Sequence, residues 1–297
     1  MVVRFLSRLL ASLALLWAPA TLAKPAEFKS DRISVDVRGT GPDVVLIPGT
    51  ASSPEVWEST VAALPGYRYH LVHVAGFAGK PAGANSATGP LLTPVADEIA
   101  RYVSTAGLKQ PALVGHSLGG TLAMLVATRK PESAGKVMVV DMLPFLGVLF
   151  GPPGTTAQSV EPVAAQLRAK TAASSGDDRR KVVEATMATM VTSPELRAAP
   201  IAHTLATDPA LSGQALYELI TTDLRPALKD LKAPLTVLWV RPPTVPLTEE
   251  QLGMVYKLSY ATAPQAQLKH IPNSLHFIMF DQPEAFRKEL GAFLKGS

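Results

Sequence analysis

The sequence predicts an α/β fold: a mainly parallel sheet flanked by helices, interrupted by an inserted helical cap. Three observations carry that expectation. Segments rich in β-formers alternate with helix-like segments along most of the chain, the order that builds a parallel sheet covered on both faces. Two strand candidates, Asp43–Ile47 and Lys136–Val140, are apolar at every position after the first, as strands buried on both faces must be. Between residues 145 and 224 the alternation stops, and helix-like pieces follow one another with no strong strand.

Taken in order, residues 32–38 alternate with period two, as a partly exposed strand does. The strand Asp43–Ile47 runs into Pro48-Gly49-Thr50-Ala51-Ser52-Ser53, and a helix is expected from about Pro54 through Trp57 to Leu64. Residues 67–74 give the next strand. Thr93-Pro94 suits the first turn of a helix reaching about Ala106. A short strand over 111–114 then leads into a glycine-flanked serine, followed by a helix to about Arg129. Within the break, 161–171, 178–191 and 213–222 are the expected helices. Alternation resumes with strands at 234–240 and 267–271, a helix near 248–260 between them, and a closing helix over 283–294. The division that follows is a core of 24–144 and 225–297 with a cap of 145–224.

Residues 1–23 are set apart. Arg4 and Arg8 precede an apolar run, and Ala18-Pro19-Ala20-Thr21-Leu22-Ala23 supplies small residues at a cut site, the pattern of a secretory signal peptide cleaved after Ala23 or Ala20. The apolar stretch between Arg8 and Lys24 falls short of the about 20 residues that a membrane-spanning helix needs. The expectation is a periplasmic or secreted protein with no stable membrane association after cleavage.

The chain has 28 basic and 24 acidic side chains, a net charge of +4. Losing Arg4 and Arg8 takes 28 to 26 and the charge to +2, so the basicity is partly a targeting feature and gives no case for nucleic acid. There is no cysteine, which excludes disulfides, a thiol nucleophile and thiolate zinc sites. His70 and His73 sit at odd spacing in a strand and so face opposite ways. No metal and no cofactor are expected.

Chemistry concentrates at Gly115-His116-Ser117-Leu118-Gly119-Gly120-Thr121. G-x-S-x-G is weak by itself, but here it lies between a strand and a helix, the context that gives it meaning. A sharp turn holds the serine in a strained conformation, and side chains at Gly115 and Gly119 would collide there. A helix start also offers free N–H groups to developing negative charge. A serine hydroxyl needs a base. His276, in the loop after the last strand, falls at the carboxyl edge of the sheet beside that turn; His116, His203 and His270 fit less well.

With these residues the chain resembles the α/β-hydrolase family over nearly its whole length after residue 23. The resemblance rests on the Pro48-Gly49 loop running to Trp57, on Gly115-His116-Ser117-Leu118-Gly119-Gly120, and on Asn273-Ser274-Leu275-His276-Phe277 with Gln282-Pro283-Glu284. It implies the α/β-hydrolase fold, Ser117 as nucleophile and His276 as general base. It also implies an oxyanion hole from the backbone N–H groups of Thr50 and Leu118. The family's usual acid follows the strand after the cap, where this chain has Trp239-Val240-Arg241-Pro242-Pro243 and no carboxylate before Glu249 and Glu250. Some relatives place the acid at the end of the strand before the cap, and Asp141 stands there; Glu250 is the reserve. Asp223 is expected to hold the cap against the core.

The function expected is that of an exported serine hydrolase. It would cleave an ester, amide or related acyl bond of a small or medium-sized substrate through a Ser acyl-enzyme. The apolar stretch 144–150 reads as a cap hinge or pocket wall, or equally as ordinary core. A second reading, a non-catalytic ligand-binding protein that keeps the fold, rests on the unusual position of the acid.

Overall fold

The computed structural model describes residues 28–296, so the signal-peptide expectation for 1–23 lies outside the described residues. The chain runs β1 (Ile33–Gly39), β2 (Asp43–Ile47), α1 (Glu58–Ala63), β3 (Arg68–Val74), α2 (Leu92–Thr105), β4 (Ala112–His116), α3 (Leu118–Arg129) and β5 (Lys136–Val140). After four helices, α4 (Ala157–Ala172), α5 (Gly176–Ala188), α6 (Ala198–Ala206) and α7 (Pro209–Thr221), it continues through β6 (Leu235–Trp239), α8 (Glu249–Ser259) and β7 (Gln267–His270). The short α9 (Ile278–Asp281) and the terminal α10 (Pro283–Lys295) close it.

The seven strands form one sheet in the order β1-β3-β2-β4-β5-β6-β7. Only the edge pair β1–β3 is antiparallel; every other neighbour is parallel. Side-chain alternation sorts the central strands between two cores. Val45, Ile47, Leu113, Val137, Val139, Leu235 and Val237 face α2, α3 and α8, while Val44, Leu46, Val114, Met138, Val140 and Leu238 face Trp57, Phe286 and Leu290. Each such side chain is essentially removed from water, worth about 1.5–3 kcal/mol apiece against exposure. That explains the unbroken apolar runs. Helix α3 is buried from Leu118 to Ala127 because it lies between the sheet and its neighbours.

The interruption is helical, and two helices of the chain, one inside it and one beyond it, fall where the sequence predicts none. Helix α6 was not anticipated: it is short and carries Pro200 in its first turn, so neither length nor periodicity marks it. Helix α9 occupies residues expected to be loop before the closing helix. The segment's two ends meet, since Leu224 N–H donates to the Pro144 carbonyl at 2.9 Å. Glu218 of α7 fixes this segment to the core by accepting from Leu91 N–H (2.7 Å) and Leu92 N–H (2.8 Å) at the start of α2. A carboxylate there satisfies free amide donors and complements the helix dipole.

Candidate active site

The parallel strands β2, β4, β5 and β6 all end at one edge, and the polar residues of interest gather there. Ser117 stands between β4 and α3 with φ 55° and ψ −122°, and its N–H donates to the Val140 carbonyl at 2.9 Å. A non-glycine residue held there costs about 1–3 kcal/mol, which the surrounding backbone must enforce. The flanking glycines let it do so. A Cβ on Gly115 would lie 2.0 Å from the Gly119 carbonyl oxygen, and one on Gly119 would lie 2.1 Å from that of Ile47. Backbone atoms cannot yield to such contacts, so the turn tolerates no side chain at either position.

The loop after β2 passes directly over the serine. A Cβ on Gly49 would come within 3.1 Å of Ser117 Cβ and 3.0 Å of His116 Nδ1. Next come half-buried Thr50 and buried Ala51, the latter in the left-handed region at φ 57°. Leu118 opens α3, so its N–H is one of the helix's unpaired first-turn donors. Leu118 thus directly follows the serine, and Thr50 directly follows the glycine that passes over it.

His276 lies in the loop between β7 and α9, its ring 4.6 Å from that of His116. Its Nδ1 bonds Asp141 Oδ2 at 2.6 Å. Asp141 is the first residue after β5, at φ 55°, and its side chain is 9 % exposed. Its other oxygen, Oδ1, accepts from Tyr256 O–H (3.1 Å) and from Val240 N–H (3.2 Å) at the end of β6. The end of β6, where the family usually carries its acid, thus contributes a backbone donor and no carboxylate. Glu250, the reserve, is exposed in the first turn of α8, and its neighbour Glu249 pairs with His270 at 2.9 Å.

Ser117 Oγ and His276 Nε2 carry no hydrogen bond among the described residues; in free enzymes such contacts are often long and tighten around substrate. His276 is held in place from behind. His116, fully buried, uses Nε2 to contact the His276 carbonyl at 3.1 Å. Burial first, and then the neighbouring His276, hold the His116 pKa well below the usual 6.5, so His116 is neutral and donates from Nε2. On the other side, Asp281 accepts from Leu275 N–H (2.8 Å), and also from Thr192 N–H (2.8 Å) and Thr192 Oγ1 (3.0 Å). Phe277 N–H donates to Met190 O at 3.1 Å. The inserted helical segment is therefore bonded directly to the loop that carries His276.

A second bridge joins α6 to the loop over the serine, through His203 Nε2 to Glu55 Oε2 at 3.0 Å. Asp223 meets the core through its neighbour at the cap boundary. It pairs with Arg225 at 2.6 Å, and that guanidinium lies over the Phe145 ring at 4.6 Å. The 144–150 stretch divides accordingly, with Phe145 fully buried and Leu149 and Phe150 exposed.

Sequence reasoning did not find Tyr256, Asp281 or a role for His116. Tyr256 and Tyr260 are visible as an aromatic pair one helical turn apart, but that spacing marks a buried face rather than a polar contact. Asp281 reads as an ordinary helix-end acid.

A parallel α/β sheet with a strained serine at a strand–helix turn, and an imidazole anchored to a carboxylate beside it, defines a hydrolase. Residues 44–289 match the model of the alpha/beta hydrolase family. The chain belongs to that family, and its fold is the α/β-hydrolase fold.

Among curated proteins it is similar to the pimeloyl-[acyl-carrier protein] methyl ester esterase of Pectobacterium carotovorum subsp. carotovorum, with 25% identity over 84% of this chain and 93% of that protein. It is also similar to the Aeromonas hydrophila protein of the same name, with 37% identity over 114 residues. That match spans 38% of this chain and only 42% of the relative. Among solved structures, the esterase EaEST from Exiguobacterium antarcticum superposes with a TM-score of 0.72 at 21% identity, covering 89% of this chain and 96% of that one. The hydrolase olei00960 from Oleispira antarctica gives 0.73 at 14% identity, covering 90% and 96%.

Proposed function

We propose that the protein is an exported serine esterase that cleaves a small or medium-sized carboxylic ester through a Ser117 acyl-enzyme. The observation that carries this is the 2.6 Å bond from Asp141 to His276, one strand away from a serine in a strained, glycine-flanked turn. The family relatives support an ester over an amide, because the two curated proteins named above are methyl ester esterases. Export rests on the composition of residues 1–23.

The chemistry runs as two acyl transfers. In the first, His276 Nε2 takes the Ser117 proton as Oγ bonds the ester carbonyl carbon, and the carbonyl oxygen becomes an oxyanion. The N–H groups of Leu118 and Thr50 stabilise that charge; one such donor is worth about 2.7–4 kcal/mol. The imidazolium then gives its proton to the departing alcohol oxygen as the ester C–O bond breaks. In the second, water replaces the alcohol: His276 takes its proton, the hydroxide oxygen bonds the acyl carbon, and Ser117 leaves with the proton returned. Asp141 holds Nδ1–H throughout and stabilises the imidazolium.

The reading as a non-catalytic binder drew its support from the displaced acid. The Asp141–His276 bond from β5 supports catalysis over binding alone. Turnover of p-nitrophenyl esters of graded chain length, compared with amino-acyl p-nitroanilides, tests the assignment. Wild type should hydrolyse the short and medium esters at least ten-fold faster than the anilides, and Ser117→Ala should lose about 10⁴-fold or more in kcat. Undiminished ester turnover in Ser117→Ala would refute it.

A further inference from the structure

Building on the Ser117–His276–Asp141 assignment, we propose that Tyr256 is a positioning residue of this site: its hydroxyl anchors Asp141 Oδ1 so that Oδ2 faces His276. A carboxylate with one oxygen engaged can still rotate about its Cβ–Cγ bond. Here Oδ2 serves His276 at 2.6 Å, while Oδ1 is held by Tyr256 O–H at 3.1 Å and Val240 N–H at 3.2 Å. The need for a second anchor follows from topology. Asp141 reaches His276 from β5, across the end of β6, and β6 supplies only the single amide of Val240.

Tyr256 is well built for that task. It comes from α8, is 5 % exposed, and stacks on Trp239 with centroids 5.1 Å apart and planes at 25°. One turn later Tyr260 donates to the Met142 carbonyl at 2.7 Å. Helix α8 and the residue that caps it therefore grip the 141–142 turn through two hydroxyls, one on the carboxylate and one on the backbone. Burial, and then the Asp141 charge, push the Tyr256 pKa well above 10.0, so the hydroxyl remains a donor wherever the enzyme works.

A donor on Oδ1 also draws negative charge away from Oδ2. Without it, Asp141 would stabilise the charged imidazolium more strongly relative to the neutral ring. The titratable groups facing that imidazole are Asp141 from β5 and neutral His116 from β4, with Tyr256 and Tyr260 behind Asp141. Tyr256→Phe alters only one of them.

The experiment is the pH dependence of kcat and kcat/KM on p-nitrophenyl acetate for wild type, Tyr256→Phe and Tyr260→Phe, with fluorophosphonate labelling of each. Tyr256→Phe should lose about ten-fold in kcat with KM within about two-fold, and its acid limb should move up by about half a pH unit. Tyr260→Phe, which loses bonds to the Met142 carbonyl and Met124 Sδ and none to Asp141, should lower Tm and leave the acid limb in place. Where Tyr256→Phe fails to fold, 3,5-difluorotyrosine at position 256 keeps the ring and strengthens the donor, and should move the limb down. A labelled wild type whose limb is unmoved by either change at 256 overturns the Tyr256 proposal alone. An unlabelled wild type overturns the serine assignment with it.

Discussion

The sheet carries two Asp–His–Tyr clusters, one at each end, and they behave oppositely. At the end where the parallel strands start, Asp43 pairs with Arg68 at 2.6 Å and with His70 Nε2 at 2.9 Å, while His70 Nδ1 contacts Tyr102 O–H at 2.6 Å. Both imidazole nitrogens are engaged and an arginine neutralises the carboxylate, so the cluster is closed and structural. At the other end Asp141 has no arginine partner among the described residues, His276 has only Nδ1 engaged, and a strained serine stands alongside. The residue types are the same. What separates them is which valences are left open, and where the backbone has been forced. Ser117 and Asp141 both sit at φ 55°, whereas Asp43 and His70 adopt no such conformation.

The sharpest way to break that contrast is to remove the charge from each carboxylate in turn. Asp141→Asn should lower kcat on short p-nitrophenyl esters by about 10³–10⁴-fold with little change in KM, because His276 loses its orienting partner. Asp43→Asn should leave kcat within about two-fold and lower Tm by about 5 °C, the cost of weakening a partly buried, charged hydrogen-bond pair. Similar activity losses in the two variants would show that the clusters are not functionally distinct.

A smaller effect separates them by pH. Burial holds the His70 pKa below its usual 6.5 in spite of the Asp43 bond, and His116 lies lower still. Below 6.5 the unfolded chain takes up protons that the folded chain refuses, so stability is full above that pH and falls as pH drops. For Asp43, burial works to raise the pKa, but bonds to Arg68 and His70 outweigh it and leave it lowered. Its contribution is present above 3.8 and is lost as pH falls through the lower folded value. Calorimetry should therefore show Tm falling between about pH 6.5 and 5, before Asp43 titrates, with a shallower slope in His70→Gln. A flat Tm over that interval would contradict the assignment of His70 and His116 as buried neutral groups.

How much of this could be read from residues alone differs between the clusters. Ser117 and its two glycines were legible because a collision-free turn leaves a spacing in the sequence, and the distances at Gly115 and Gly119 are that collision made explicit. The sheet was legible for a similar reason: strands buried on both faces read as nearly continuous apolar runs, with few polar residues such as Thr236 and His116. His276 was placed by its position after the last strand. Asp141 was placed by its position at the end of β5 together with the lack of a carboxylate where the family usually has one.

The supporting residues were not legible. Tyr256 and Asp281 act across 115 residues and across the link to the inserted segment, through single oxygens whose direction no local pattern records. Helix α6 escaped because Pro200 sits in a short, alanine-rich element held by its neighbours rather than by its own periodicity.

The most direct test of the central claim is to trap the acyl-enzyme. Intact-mass spectrometry of wild type mixed rapidly with a p-nitrophenyl ester, or incubated with a fluorophosphonate, should show one added acyl or phosphonyl group. Peptide mapping should place it on Ser117, and Ser117→Ala should carry none. An adduct on another residue, or an unmodified wild type that still turns over ester, would contradict it.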